Sequence, residues 1–227
     1  MRVLAITNLY PGPGRELLAA FNRQQFAALA RRISLRVIAP VAWPAAWKDR
    51  LRGRRTAGPY LNGDGIETEH PVYYYPPRVM RHRYGECYLQ SILRTAERAI
   101  AAHRPDVVLS CWAHPDGWAA VQLARTHNRP VVIKAIGTDL LVAPRDARRR
   151  QRIREALGAA DGVVAVSRDL ARHAVSLGAE AARVSVVPEG LDESLFAPGN
   201  RQAARARLGL PPQGAAVLFV GNLLVAV

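Results

Sequence analysis

The stretch "DVVLSCWAHPDGWAA", residues 106–120, decides the fold. Its first half is continuously apolar and rich in β-branched residues, the pattern of a strand covered on both faces of a parallel sheet. Pro115, Asp116 and Gly117 then make a sharp turn, with Asp116 placed to cap the next helix. "DGWAAVQLARTHNRP" reads as an amphipathic helix that stops before a proline. Strand, tight turn and helix are half of a βαβ unit, and such sheets bind ligands outside the carboxyl ends of their strands. His114 is delivered to that edge.

The same rhythm runs outward in both directions. "RVLAIT", "LRVIAP", "PVVIKAIG", "GVVAVS", "RVSVVP" and "AAVLFVG" read as further buried strands. "RELLAAFNRQQFAALARR" places Leu17, Phe21, Phe26 and Leu29 near one helical face, and "GECYLQSILRTAERAIAAHRP" is a second long helix. The expected fold class is therefore α/β, a Rossmann-like doubly wound and mostly parallel sheet. Residues 41–83 break the pattern with Pro, Gly, Trp and Tyr, and are expected to hold a short helix and one or two strands. Their aromatics read either as packing at the margin of the core or as an apolar surface beside arginines. Near the carboxyl end a polar helix and a Pro-Pro-Gln-Gly linker precede "AAVLFVGNLLVAV". This organisation predicts a first domain over 1–198, a linker helix and loop over 199–213, and the opening strand of a second domain over 214–227.

Composition narrows the function. With 227 residues and 49% hydrophobic content the chain can bury a substantial core. Lys and Arg total 32 against 18 Asp and Glu, a net charge of +14 that attracts phosphates or acidic headgroups. Six arginines fall between Arg145 and Arg154, either a solvated helix surface or a contact for an anionic membrane. No recognisable nucleic-acid module accompanies them, so no nucleic-acid partner is expected. Cys87 and Cys111 cannot build a disulfide framework, which fits a reducing, cytoplasmic setting. The first residues lack the apolar run of a signal peptide, and no stretch approaches the roughly 18 apolar residues of a membrane span. Any membrane contact is expected to be peripheral. The Walker glycine-lysine motif, the nucleophile elbow and Cys/His metal spacings are all absent from the sequence. P-loop NTPases, serine hydrolases and zinc enzymes are excluded, and no metal is expected.

Candidate residues cluster in the loops after strands. Gly12 and Gly14 precede a helix, where close backbone approach and a helix amino end favour a phosphate. The third glycine of a dinucleotide fingerprint is missing, and Pro13 removes a donor, so a simple turn competes with this reading. His114 can hydrogen-bond a sugar hydroxyl or polarise an oxygen. "IKAIGTDLL" brings Lys134, Gly137, Thr138 and Asp139 to the same edge, with Asp139 as a helix cap the alternative. Ser167 reads first as an N-cap; Glu189, Gly190 and Asp192 lie in the next loop.

The order "NLYP…G", "LRVIAP", "DVVLSCWAHPDGWAA", "VIKAIGTDL", "ADGVVAVSRDL", "VSVVPEGLDESLFAPG" and "VLFVGNL" resembles the amino-terminal half of the retaining GT-B glycosyltransferases of family four. The resemblance implies two Rossmann-like domains facing a cleft, with metal-free sugar transfer from a nucleotide-sugar co-substrate to a glycan or lipid-linked acceptor. It assigns catalytic roles to His114 and Asp139, and donor or substrate contacts to Gly12, Gly14, Gly137, Thr138, Ser167, Glu189 and Gly190. Ile136 stands where the family has histidine, Glu189 where it has asparagine, and Asn222 where it has the arginine that neutralises the donor diphosphate. The chain alone is accordingly expected to lack most of the donor site. The alternative is a non-catalytic sugar-binding module, or a subunit completed by another chain. Peripheral contact with the inner face of an anionic membrane completes the expectation.

Overall fold

The computed structural model describes residues 1–54, 58–61, 63–194 and 196–220. The chain divides into two compact units, Met1–Gly190 and Leu191–Val227. In the first, β1 (Arg2–Ile6), β2 (Ser34–Ile38), β4 (Gly58–Leu61), β5 (Glu67–His70), β7 (Val107–Cys111), β8 (Val131–Ala135), β9 (Gly162–Ala165) and β10 (Val184–Val186) form one eight-stranded sheet. Its order is β10-β9-β8-β7-β1-β2-β5-β4, with every pairing parallel except β4 against β5. β3 (Val41–Ala42) and β6 (Val72–Tyr73) pair separately. The chain winds one way from β1 to β2 and the other way from β7 to β10. The crevice between β1 and β7 is thus where strand order reverses.

Continuous apolarity in the strands is explained by cover on both faces. Leu4 and Ile6 of β1 enter one core with Ile38 and Val108, filled by α3 (Tyr84–His103), α4 (Trp118–Thr126), α6 (Ala147–Ala159) and α7 (Arg168–Ser176). Val3 and Ala5, on the opposite face, join Val37, Tyr10 and Phe26 of α1 (Ala20–Ala30) in a second core. α3 offers Tyr88, Ile92, Ala96 and Ile100 at helical spacing, all buried.

Several expectations need correction. α1 starts only at Ala20, because Pro11, Pro13 and two glycines hold the preceding segment in turns. Leu17 is 90% exposed and Phe21 is exposed, so of the expected apolar face Phe26 alone is buried. The described residues of 41–83 hold α2 (Trp43–Leu51) and four strands rather than one or two. Their aromatics divide between the two readings. Tyr73 packs edge-on against Tyr88 and joins Tyr75 and Tyr84 in a stack, whereas Trp47 and Tyr74 are exposed.

In the second unit α8 (Arg201–Arg207) is capped by Asn200, and Arg205 donates to the carbonyls of Pro211 and Gln213. Residues 215–220 are in no strand, and 221–227, with Asn222, lie outside the described residues.

Gly117 tests the packing at the crevice. A Cβ there would approach the Trp112 carbonyl oxygen to 2.6 Å, whereas one on Gly190 would meet nothing. Gly117→Ala should cost about 1–3 kcal/mol in urea unfolding, and Gly190→Ala should change stability by less than about 0.5 kcal/mol.

Candidate functional site

The parallel strands bring every loop named from the sequence to one edge. After β7 the chain makes a wide turn over Ala113–Gly117, entered through Trp112 at φ +88°, a conformation that L-residues rarely adopt. Trp112 donates its backbone N–H to the Lys134 carbonyl at 2.9 Å, and its own carbonyl accepts from Gly117 at 2.8 Å.

Two buried carboxyls tie this turn to its neighbours. Asp139, on the short helix α5 (Thr138–Leu141), accepts Gly137 N–H at 2.8 Å and Ile136 N–H at 3.2 Å on Oδ1. Its Oδ2 accepts Ala113 N–H at 3.1 Å, joining the β8 loop to the β7 turn. Burial raises the Asp139 pKa, and the three N–H bonds pull it back. Asp116 is not the helix cap expected: the residue ahead of α4 is Gly117, and Asp116 Oδ2 accepts the Asn8 N–H at 2.9 Å from the β1 loop. Complete burial pushes Asp116 up to about 8, against the Asn8 bond and a Thr7 hydroxyl.

His114 is also buried, at 1% exposure. Its Nε2 lies 3.3 Å from the His82 carbonyl, a bond it makes as donor, and its Nδ1 has no partner among the described residues. Burial first, then the charge of Arg149, push it down to about 4, so the imidazole is neutral at physiological pH.

Lys134, noted in the sequence only as a charge, is the hub of the opposite face. Its Nζ, in a side chain 5% exposed, contacts Glu189 Oε1 at 2.7 Å, Gln25 Oε1 at 2.5 Å and Asn22 Oδ1 at 3.2 Å. The Pro-Glu-Gly loop carrying Gly190 is thereby bound to β8 and α1. The sequence holds a signal for this: one lysine inside the apolar run "VVIKAI" needs partners in the fold. Thr138 is exposed beside Asp139, and Ser167 caps α7, its Oγ accepting Leu170 N–H at 3.1 Å. Burial pushes the Cys111 thiol up to about 12, which makes it inert.

The glycine turn differs from expectation. With α1 starting at Ala20, Gly12 and Gly14 do not sit at a helix amino end, and the Gly14 N–H is spent on Glu16 Oε1 at 2.9 Å. Gly12 instead leaves room for His70, whose ring would lie 2.8 Å from a Cβ there. Both line a cleft of about 250 Å³, with Asn8, Arg15, Pro40 and Trp112, at the ends of β1, β2, β5 and β7. His70, missed in the sequence, donates Nδ1–H to the Ala39 carbonyl at 2.9 Å, and burial lowers its pKa. Among the described residues no group of three His, Cys, Asp or Glu could hold a metal ion.

Comparison with known proteins fits this geometry. The family model described as Glycosyltransferase Family 4 matches residues 27–195. D-inositol 3-phosphate glycosyltransferase of Mycobacterium tuberculosis is 36% identical over 138 residues, 56% of this chain and 28% of that relative. Sucrose-phosphate synthase of Thermosynechococcus elongatus superposes with a TM-score of 0.64 at 15% identity, over 93% of this chain and 53% of that one. An Anabaena protein solved in complex with UDP-glucose gives 0.54 at 18% identity, over 92% and 50%. The chain therefore spans about half of each solved structure and less of the curated relative.

The buried acid sets a pH dependence. Between the ordinary carboxyl value of 3.8 and about 8, folded Asp116 holds a proton that the unfolded chain releases, so stability falls as pH rises through that window. His114 acts oppositely. Between about 4 and 6.5 the unfolded chain takes up a proton that the folded protein does not, so its share of stability rises with pH and is complete above 6.5. From pH 6.5 to 8 Asp116 sets the slope of the two. Urea unfolding should show wild type losing stability over that interval and Asp116→Asn nearly flat.

Proposed function

The chain belongs to Glycosyltransferase Family 4, of whose GT-B architecture it forms an amino-terminal α/β domain, and on that premise we propose an acceptor-side role in a retaining sugar transferase. The donor in this reading is a nucleotide sugar and the acceptor a glycan or a lipid-linked glycan. The domain division at residues 198 and 213 belongs to the same proposal, with the nucleotide-binding part following the linker.

One observation carries the reading. The His114 turn, the Gly137–Asp139 turn and the Pro-Glu-Gly loop meet on one sheet edge, linked by Asp139 to Ala113 and by Glu189 to Lys134. That edge flanks the crevice where strand order reverses, the preferred ligand position in doubly wound sheets. The UDP-glucose bound to the Anabaena protein supports a nucleotide-sugar donor. His114 and Asp139 enter as positioning residues, because both side chains are buried and engaged with backbone groups. Asp139 holds in place the backbone of two rim turns, at Ala113 and Gly137, on which the sugar would rest, and His114 ties the first of these turns to the His82 carbonyl. Gly12, Gly14, Thr138, Ser167 and Gly190 add rim backbone and hydroxyls to the same half-pocket.

Transfer in this reading needs no metal, and the leaving diphosphate is stabilised by fixed cationic and N–H groups. The net charge of +14 supports a cytoplasmic enzyme docking peripherally on an anionic membrane that carries the acceptor. No helix among the described residues is long and apolar enough to cross a membrane.

The test is a transfer assay on the natural polypeptide that carries this sequence, with a panel of nucleotide sugars and the product anomer read by NMR. The donor's anomeric configuration should be kept, and turnover should persist in excess chelator. An inverted product, or transfer abolished by chelation, contradicts the reading; binding of sugar with no transfer returns it to a non-catalytic module.

A further inference from the structure

Large apolar side chains exposed singly need no account, but α2 gathers two of them. Trp47 and Leu51 stand one helical turn apart at 57% and 75% exposure, so they share one outward stripe. Lys48 and Arg50, both exposed, flank that stripe on its two sides, and the exposed Arg52 and Arg54 continue the charge past the helix end. Asp49 turns the other way. It is the one acid between residues 43 and 54, and it is buried and paired with Arg15 at 2.5 Å.

The stripe is held outward by fixed contacts on the rest of the helix. Pro44 sets the first turn of α2, Trp43 donates its indole N–H to the Tyr75 carbonyl at 2.8 Å, and Trp47 stacks on Trp43 with ring centroids 6.3 Å apart. The Arg15 pair pins the opposite side. Apolar side chains kept in water cost free energy that burial would recover. An indole and a leucine between long cationic chains suit one environment in particular, the headgroup layer of an anionic bilayer. There the rings reach the acyl boundary, while lysine and arginine stems lie along apolar surface and their charges meet acidic headgroups.

We propose that α2 docks the protein on an anionic lipid bilayer, inserting Trp47 and Leu51 and laying Lys48, Arg50, Arg52 and Arg54 on the headgroups. This rests on the membrane reading given above and names the element that makes the contact. A second copy of the chain fits the stripe poorly. Face to face, its cations would oppose their own kind, and two side chains bury far less than the roughly 800 Å² per partner of a stable dimer. The placement has a consequence for the ligand. β3, whose Val41 and Ala42 line the 250 Å³ cleft, runs directly into α2. Docking through α2 therefore brings that cleft near the headgroup layer, where a lipid-linked acceptor carries its glycan.

Flotation of the full chain with phosphatidylglycerol or phosphatidylcholine vesicles, some carrying brominated acyl chains, reads the contact without turnover. Wild type should float with the anionic vesicles only. Trp47→Ser combined with Leu51→Ser should cut partitioning at least about tenfold, and Lys48→Gln with Arg50→Gln should cut it several-fold at low salt. Val175→Ser, which removes an exposed valine from α7, should change nothing. Trp47→Phe should still bind but lose most of the tryptophan quenching by brominated chains. All these side chains are exposed, so each variant should keep the wild-type urea midpoint. Equal flotation of wild type and the α2 variants, or quenching unchanged in Trp47→Phe, overturns the role of α2 and leaves the membrane reading standing. Wild type that fails to float overturns both. A dimer in sedimentation that Trp47→Ser abolishes gives the stripe to a second copy and also overturns the proposal.

Discussion

Asp139 has no oxygen to spare. Its carboxyl sits among apolar core residues and receives three backbone N–H groups, two from its own loop and one from the turn after β7. Taking a carboxyl out of water is costly, and only a full set of donors makes it tolerable. The same requirement makes it a rigid joint, since no donor can leave without stranding a buried acceptor. Asp116 reaches the other way, its Oδ2 gripping the Asn8 N–H of the β1 loop while its Oδ1 has no partner among the described residues. Together the two carboxyls fix the exits of β1, β7 and β8, the three strands that border the crevice.

The other face of the edge is held by a cation. Lys134 projects from β8 toward Asn22 and Gln25 of α1 and reaches Glu189 in the loop after β10. Glu189 therefore neutralises the lysine rather than offering a free carboxylate to the crevice. A sheet edge built in this way is pre-organised: its backbone groups are placed before any ligand arrives. The strained backbone at Trp112 belongs to the same design, because its two backbone bonds to Lys134 and Gly117 hold the chain where the wide turn can begin.

The sheet is legible in the sequence and the side-chain roles at its edge are less so. Strands such as "RVLAIT" and "PVVIKAIG" can be read because burial on both faces leaves continuous apolarity, a signal that tertiary context strengthens. The start of α1 escapes the pattern because Leu17 and Phe21 have helical spacing but are exposed, and spacing carries no record of which face finds a partner. Extra strands in 41–83 are hidden by Pro and Tyr, residues that mark edges and turns as readily as sheets. At the site, the convergence of His114, Gly137–Asp139 and Glu189 follows from topology and can be anticipated. That His114 turns inward to the His82 carbonyl, and that Asp116 bonds Asn8 instead of capping α4, depends on contacts across some 30 and 108 residues of sequence, beyond any local pattern.

The rim of the crevice stands on Asp139 acting as one joint for three amides. Hydrogen exchange of the backbone N–H groups of Ala113, Ile136 and Gly137, in wild type and in Asp139→Ala, tests this most directly. All three should be protected in wild type and should lose protection together in the variant, while amides of β1 keep theirs. Rapid exchange at Ala113 in wild type, or loss confined to Ile136 and Gly137 in the variant, would contradict it.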